Sequence, residues 1–143
     1  MKNTNSNLLV WFAVAAIVAT GLIHLIEVPD NLAEVPYKGV LFIFNGIGSL
    51  VAAFLIARGD TRGWQLGIAV AFSAAVGYVL SRTIGLPLLP AEPDAWFEPL
   101  GIASLLVEVA FLGIAVAQSM LRASISASIS ASIGRSERIS QIQ

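Results

Sequence analysis

Apolar residues in this chain are gathered into four long runs, separated by short polar segments. The runs cover Leu8 to about Val28, Tyr37 to Ala57, Trp64 to Arg82 and Leu100 to Leu121. About 20 mostly apolar residues are enough for a helix to cross a bilayer. Helices are the natural form there, because the backbone must satisfy its own hydrogen bonds in lipid. The pattern predicts an all-α integral membrane protein, a four-helix bundle over residues 1–121, with a low-complexity tail at 122–143.

Composition agrees with that picture. The chain has 143 residues, of which 57% are hydrophobic and 12% charged. A soluble domain carries about 25% charged residues. Cysteine is absent, which excludes disulfides, thiolate metal sites and thiol redox chemistry. The single histidine excludes a zinc site with several imidazoles and a bis-histidine haem within one chain. No cofactor is expected. The formal net charge of −1 argues against nucleic acid as a partner.

The charges sort onto two sides. Lys2, Arg58, Arg62, Arg122, Arg135 and Arg138, with Asp60 and Glu137, fall on the side of the two termini and the second loop. Glu27, Asp30, Glu34, Glu92, Asp94 and Glu98, with Lys38 and Arg82, fall on the side of the first and third loops. Cytoplasmic loops carry the excess of Lys and Arg, so both termini are expected inside. Trp11 and Trp64 are then expected near the inner interface and Trp96 near the outer one. The first run is read as a span rather than a cleaved leader. Its apolar stretch is long for a leader, and the cleavage signal near Ala19-Thr-Gly21 is weak.

All six prolines (Pro29, Pro36, Pro87, Pro90, Pro93 and Pro99) fall in the outer loops, which are expected to be stiff turns. Pro99 suits the first turn of the fourth helix. The third loop, Gly85 to Glu98, is long enough to form a lid, but a plain proline-rich connection is the expectation. In the tail, isoleucine recurs every four residues, which suits a helix, while apolar residues alternate with serine, which suits a strand. A frayed helix or disorder is expected there. Gly46, Gly48 and Ala52, then Gly67, Ala71 and Ala75, then Gly113 and Ala117 mark faces where helices can approach closely, within the chain or between copies.

The candidate chemistry lies in the outer half. At about 1.5 Å per residue, Glu108 and Asn45 lie about 12 Å below the outer surface, and His24 about one turn below it. His24 and Glu27 are three apart, and Tyr78 and Arg82 four apart, so each pair shares a helix face. With Ser49 and Ser104, the candidate polar cluster is His24, Glu27, Asn45, Tyr78, Arg82 and Glu108. An ionisable residue at lipid depth is costly unless it is satisfied. Glu108 is therefore a structural partner, a site for a ligand, ion or proton, or a neutral acid facing lipid, and all three readings stand. Arg82 is expected to clamp a carboxylate, with Glu27 and Glu98 nearest in depth. It could also reach down toward Glu108. His24 is a hydrogen-bonding group or a proton acceptor near neutral pH. One imidazole with carboxylates is a poor transition-metal set, so no metal is expected. Asn45 is expected to bond between helices. No nucleophile–base pair, phosphate-binding glycine loop or redox motif is present, so an enzyme is the least expected class.

Two stretches carry a resemblance. One is Gly77-Tyr-Val-Leu-Ser-Arg-Thr-Ile-Gly-Leu-Pro87, with Trp96-Phe-Glu-Pro-Leu-Gly101 and Ser104-Leu-Leu-Val-Glu108 after it. The other is Ile23-His-Leu25 with Tyr37-Lys-Gly-Val-Leu-Phe42. Together they resemble a group of small four-span bacterial membrane proteins without an established activity. The resemblance covers roughly residues 20 to 115 and implies the four-span architecture but no substrate. Two functions are carried forward. The first is a non-enzymatic accessory or structural subunit that binds a membrane-protein partner or itself. The second is a binding or transport unit with an outward polar pocket for a cation, proton or small polar solute.

Overall fold

The computed structural model describes residues 4–140, so Lys2 lies outside the described residues. The chain folds into α1 (Thr4–Ile26), α2 (Val28–Glu34), α3 (Pro36–Ala57), α4 (Thr61–Thr83) and α5 (Pro99–Ser140), with a short 3-10 turn at Pro93–Ala95. Four segments are long and apolar enough to cross a membrane: Asn7–Ile26, Pro36–Ala57, Thr61–Thr83 and Pro99–Arg135. α1 packs on α3 and α5, and α4 packs on the same two helices.

Proline sets the boundaries in a way the expectation of stiff turns did not capture. Pro29 has no N–H to give the carbonyl four residues back, and its ring crowds that carbonyl, so α1 stops at Ile26 rather than Val28. A first helical turn does not need that N–H, and α2 forms directly behind the break. The first loop is therefore a short helix. The buried Asn31 steadies the joint by donating from Nδ2 to the Glu27 carbonyl at 2.8 Å. Pro36 and Pro99 open α3 and α5 in the same manner. Between α3 and α4, Asp60 caps the new helix by accepting from the Arg62 N–H at 2.9 Å.

The tail takes the helical one of the two patterns in its sequence. α5 runs without interruption through Arg122 to Ser140. Its serines do not compete with the helix, because Ser124, Ser128 and Ser132 each donate their hydroxyl to a carbonyl three residues back.

The interior has two halves. Toward the α3–α4 turn the core is apolar: Ala13 and Ile17 from α1, Ala52, Ala53 and Ile56 from α3, Trp64 and Ala71 from α4, and Phe111 and Ala115 from α5. Trp64, in the first turn of α4, turns inward and stacks on Phe111, ring centroids 6.1 Å apart. Gly67 makes the room, since a Cβ there would meet the Phe111 ring at 2.5 Å. Gly113 has open space around it, so the small-residue face of α5 is not used at that point within the chain. In the other half, the buried side chains are polar: Thr20, His24, Ser49, Arg82, Ser104 and Glu108.

Candidate functional site

The structure divides the six candidate residues into three groups and leaves one of them at the rim. The first group is a latch at the C-terminal end of α4. Arg82 is buried, and its guanidinium spreads over the third loop. Nε donates to the Ala95 carbonyl at 3.0 Å, Nη1 to Glu92 at 2.8 Å and Nη2 to Glu98 at 2.7 Å. Its charged carbon lies 4.9 Å from the centre of the Tyr78 ring. Tyr78 in turn donates to the Trp96 carbonyl at 2.7 Å and meets the Trp96 ring edge-on. The planar fork of an arginine suits this work, because it presents several donors in fixed directions.

The loop is thus not a plain connection. Besides the Arg82 contacts, the Tyr37 hydroxyl donates to the Pro87 carbonyl, and the Glu92 N–H donates to the Ser81 carbonyl at 3.0 Å. Leu86 and Leu89 exchange backbone hydrogen bonds across a tight turn that places Leu88 at φ +68. Gly85 enters that turn at φ +86. Arg82 takes Glu92 where the sequence had pointed to Glu27, and it reaches away from Glu108. Nothing in residue spacing could single out Glu92, because its approach depends on the path of the loop.

The second group ties α3 to α4. Asn45 donates from Nδ2 to the Val70 carbonyl at 2.8 Å, and Ser49 donates to Asn45 Oδ1 at 3.4 Å. Val70 also receives the Ser73 hydroxyl at 3.0 Å. The Val70 carbonyl thus collects two side-chain donors, one across the helix contact and one from its own helix.

The third group joins α1 to α5. His24 Nε2 lies 4.0 Å from Glu108 Oε1, and both side chains are buried, Glu108 to 1% exposure. The same Oε1 accepts the Ser104 hydroxyl at 2.6 Å. On its other side, His24 Nδ1 lies 3.0 Å from the Thr20 carbonyl. A carbonyl can only accept, so Nδ1 carries the hydrogen. The Phe42 ring of α3 covers the imidazole, with centroids 4.9 Å apart. Glu108, rather than Glu27, is the partner of His24. Thr20 was missed in the sequence, although its position four residues before His24 puts it on the same face.

Glu27 sits half-buried at the joint between α1 and α2. Burial, seconded by the nearby Glu98, holds its carboxyl above the ordinary range, against the opposing pull of Lys38 and Arg82. In the apolar half, Gln118 Oε1 is buried without a hydrogen-bond partner among the described residues.

No protein-family model, curated protein or solved structure matches this chain.

Proposed function

We propose that the chain is an integral membrane protein of the bacterial plasma membrane, a four-helix bundle with both termini in the cytoplasm, acting as a non-enzymatic accessory or structural subunit. One observation carries the reading. The loop-rich end spends its buried cation on its own loop: Arg82 is engaged by Glu92, Glu98, Ala95 and Tyr78 at once. A site for an anionic substrate would keep such a cation free for the ligand. What the molecule presents outward from its long helices is instead apolar, with Trp11, Phe44, Phe72 and Leu106 all more than half exposed. Lipid covers such faces, and a partner helix can take the place of lipid. The orientation rests on the grouping of Arg58, Arg62, Arg122 and Arg135 opposite the acidic loops.

Two experiments test this. The chain lacks native cysteine, so single cysteines report topology directly. An impermeant maleimide on intact cells is expected to label Asp94→Cys and to spare Ser128→Cys, and the reverse pattern would overturn the orientation. A photo-crosslinking residue at Phe44 or Phe72 is expected to give one discrete protein adduct in native membranes. Lipid adducts alone at both positions would overturn the accessory role.

A binding or transport unit for a cation, proton or small polar solute is favoured by a different observation, the buried pair of His24 and Glu108.

A further inference from the structure

We propose that His24 and Glu108 form a single-proton binding site, in which one proton is exchanged between His24 Nε2 and Glu108 Oε1. The inference goes beyond the accessory role and stands whether or not the apolar faces bind a partner. It rests on geometry from both sides of the pair. The Thr20 carbonyl fixes the hydrogen on Nδ1, which leaves Nε2 as the nitrogen that can gain or lose a proton. Nε2 points at the carboxyl group of the neighbouring helix, 4.0 Å away. The Ser104 hydroxyl, 2.6 Å from Oε1, holds that carboxyl in place.

A separation of 4.0 Å is too long for a hydrogen bond, and a shift of about 1 Å by either side chain would make one. The two forms of the closed pair are a neutral imidazole accepting from a carboxylic acid, and an imidazolium donating to a carboxylate. Passing between them breaks an O–H bond and forms an N–H bond, with no change in the net charge of the site. Both forms hold one proton between the two groups. Losing it to water leaves a lone buried carboxylate, which is costly when nothing nearby balances it.

The surroundings supply little to balance it. On α1, α2 and the joint between them the charged groups are Glu27, Asp30 and Glu34, all acidic. On α3, Lys38 is held by Glu34, and Arg58 lies at the far end of the helix. On α4, Arg82 is taken by Glu92 and Glu98, while Arg62 lies at the opposite end. On α5, Arg122, Arg135 and Arg138 lie beyond the apolar half. From α3, the pair is faced by the Phe42 ring.

The chain has one histidine, so nitrogen-15 NMR of histidine-labelled, tag-free protein in lipid nanodiscs reads His24 alone. Wild type, Glu108→Gln and Ser104→Ala would be followed from about pH 5 to about pH 8. The expected wild-type result is one protonation step at Nε2, with Nδ1 protonated throughout. In Glu108→Gln the proton affinity of that step is expected to change at least tenfold. In Ser104→Ala, which keeps both partners, a change of several-fold is expected. A step at Nδ1, no step at all, or a step that is the same in the folded variants as in wild type would overturn the proposal. If Glu108→Gln fails to fold, the Ser104→Ala comparison decides.

Discussion

His24 Nε2 and Glu108 Oε1 face each other at 4.0 Å across the contact between α1 and α5, and both side chains are buried. The one hydrogen bond that Glu108 accepts in this arrangement comes from Ser104 of its own helix, at 2.6 Å. Glu108→Ala deletes the acceptor of the Ser104 hydroxyl and leaves His24 without its facing group. Leaving that buried hydroxyl without its acceptor costs about 1–3 kcal/mol, and the vacated volume adds to the loss. Glu108→Gln keeps the shape and an acceptor for Ser104, so it is expected to cost less, about 1–2 kcal/mol. Thermal melts in nanodiscs would rank the two. Equal losses would mean that shape and hydrogen bonding at Oε1 contribute nothing.

Arg82 and its carboxylates are not equal partners. The Arg82 side chain is 7% exposed, whereas those of Glu92 and Glu98 are 48% and 52% exposed. Either carboxylate can return to water when it loses Arg82, so Glu92→Gln or Glu98→Gln is expected to cost about 0–1 kcal/mol. Arg82→Met also abandons the Ala95 carbonyl, and about 2–3 kcal/mol is expected from its lost charged hydrogen bonds. Arg82→Lys falls in between, since one ammonium cannot span Ala95, Glu92 and Glu98 together. Limited proteolysis between residues 84 and 98 should follow the same order. A glutamate variant that loosens the loop as much as Arg82→Met would contradict this ranking.

The four long helices were legible because apolar runs of membrane-spanning length have few other readings. Their interior contacts were legible only in kind. Asn45 could be named as an interhelical donor, but its acceptor is a main-chain carbonyl, and every residue of a span has one. Trp64 faces Phe111 because of helix rotation, which one sequence does not give. The pairing of His24 with Glu108 depends on that rotation too, and on which helices are neighbours. Glu92 reaches Arg82 through the course of a loop, where position along the chain says little about position in space. Pro29 and Pro36 misled for a different reason. Proline signals a turn and a first helical turn equally well, and here both open helices.

Glu27 makes stability depend on pH in a stated direction. Burial holds its carboxyl above the ordinary 4.5, so the folded state favours the protonated form. That contribution is complete below the range in which the unfolded carboxyl titrates. It is lost as pH rises through the higher pKa of the folded state. Glu27→Gln mimics the protonated form throughout. The difference in melting temperature between variant and wild type is therefore expected to grow in the variant's favour as pH rises from about 4 to about 7. A difference that stays constant, or reverses, would show that Glu27 is not held in its neutral form by folding.

The turn beneath Arg82 offers two substitutions of opposite sign. Gly85 has φ +86, and a Cβ added there would lie 2.6 Å from the Leu89 carbonyl oxygen and 2.9 Å from the Ala91 nitrogen. Both atoms belong to backbone that the Leu86–Leu89 pairing holds in place, so they have little room to give way. Gly85→Ala is expected to cost about 1–2 kcal/mol for the left-handed conformation alone, with the clash added to it. Leu88 is the reverse case, a branched side chain at φ +68 that is 86% exposed and so gains little from packing. Leu88→Gly relieves about 1–2 kcal/mol of backbone strain. It gives back about 0.5–1 kcal/mol to the greater freedom of glycine in the unfolded chain. The expected net effect is a gain of about 0–1.5 kcal/mol. Melting both variants beside wild type tests the turn itself, because a loop without this geometry would give two small changes of the same sign.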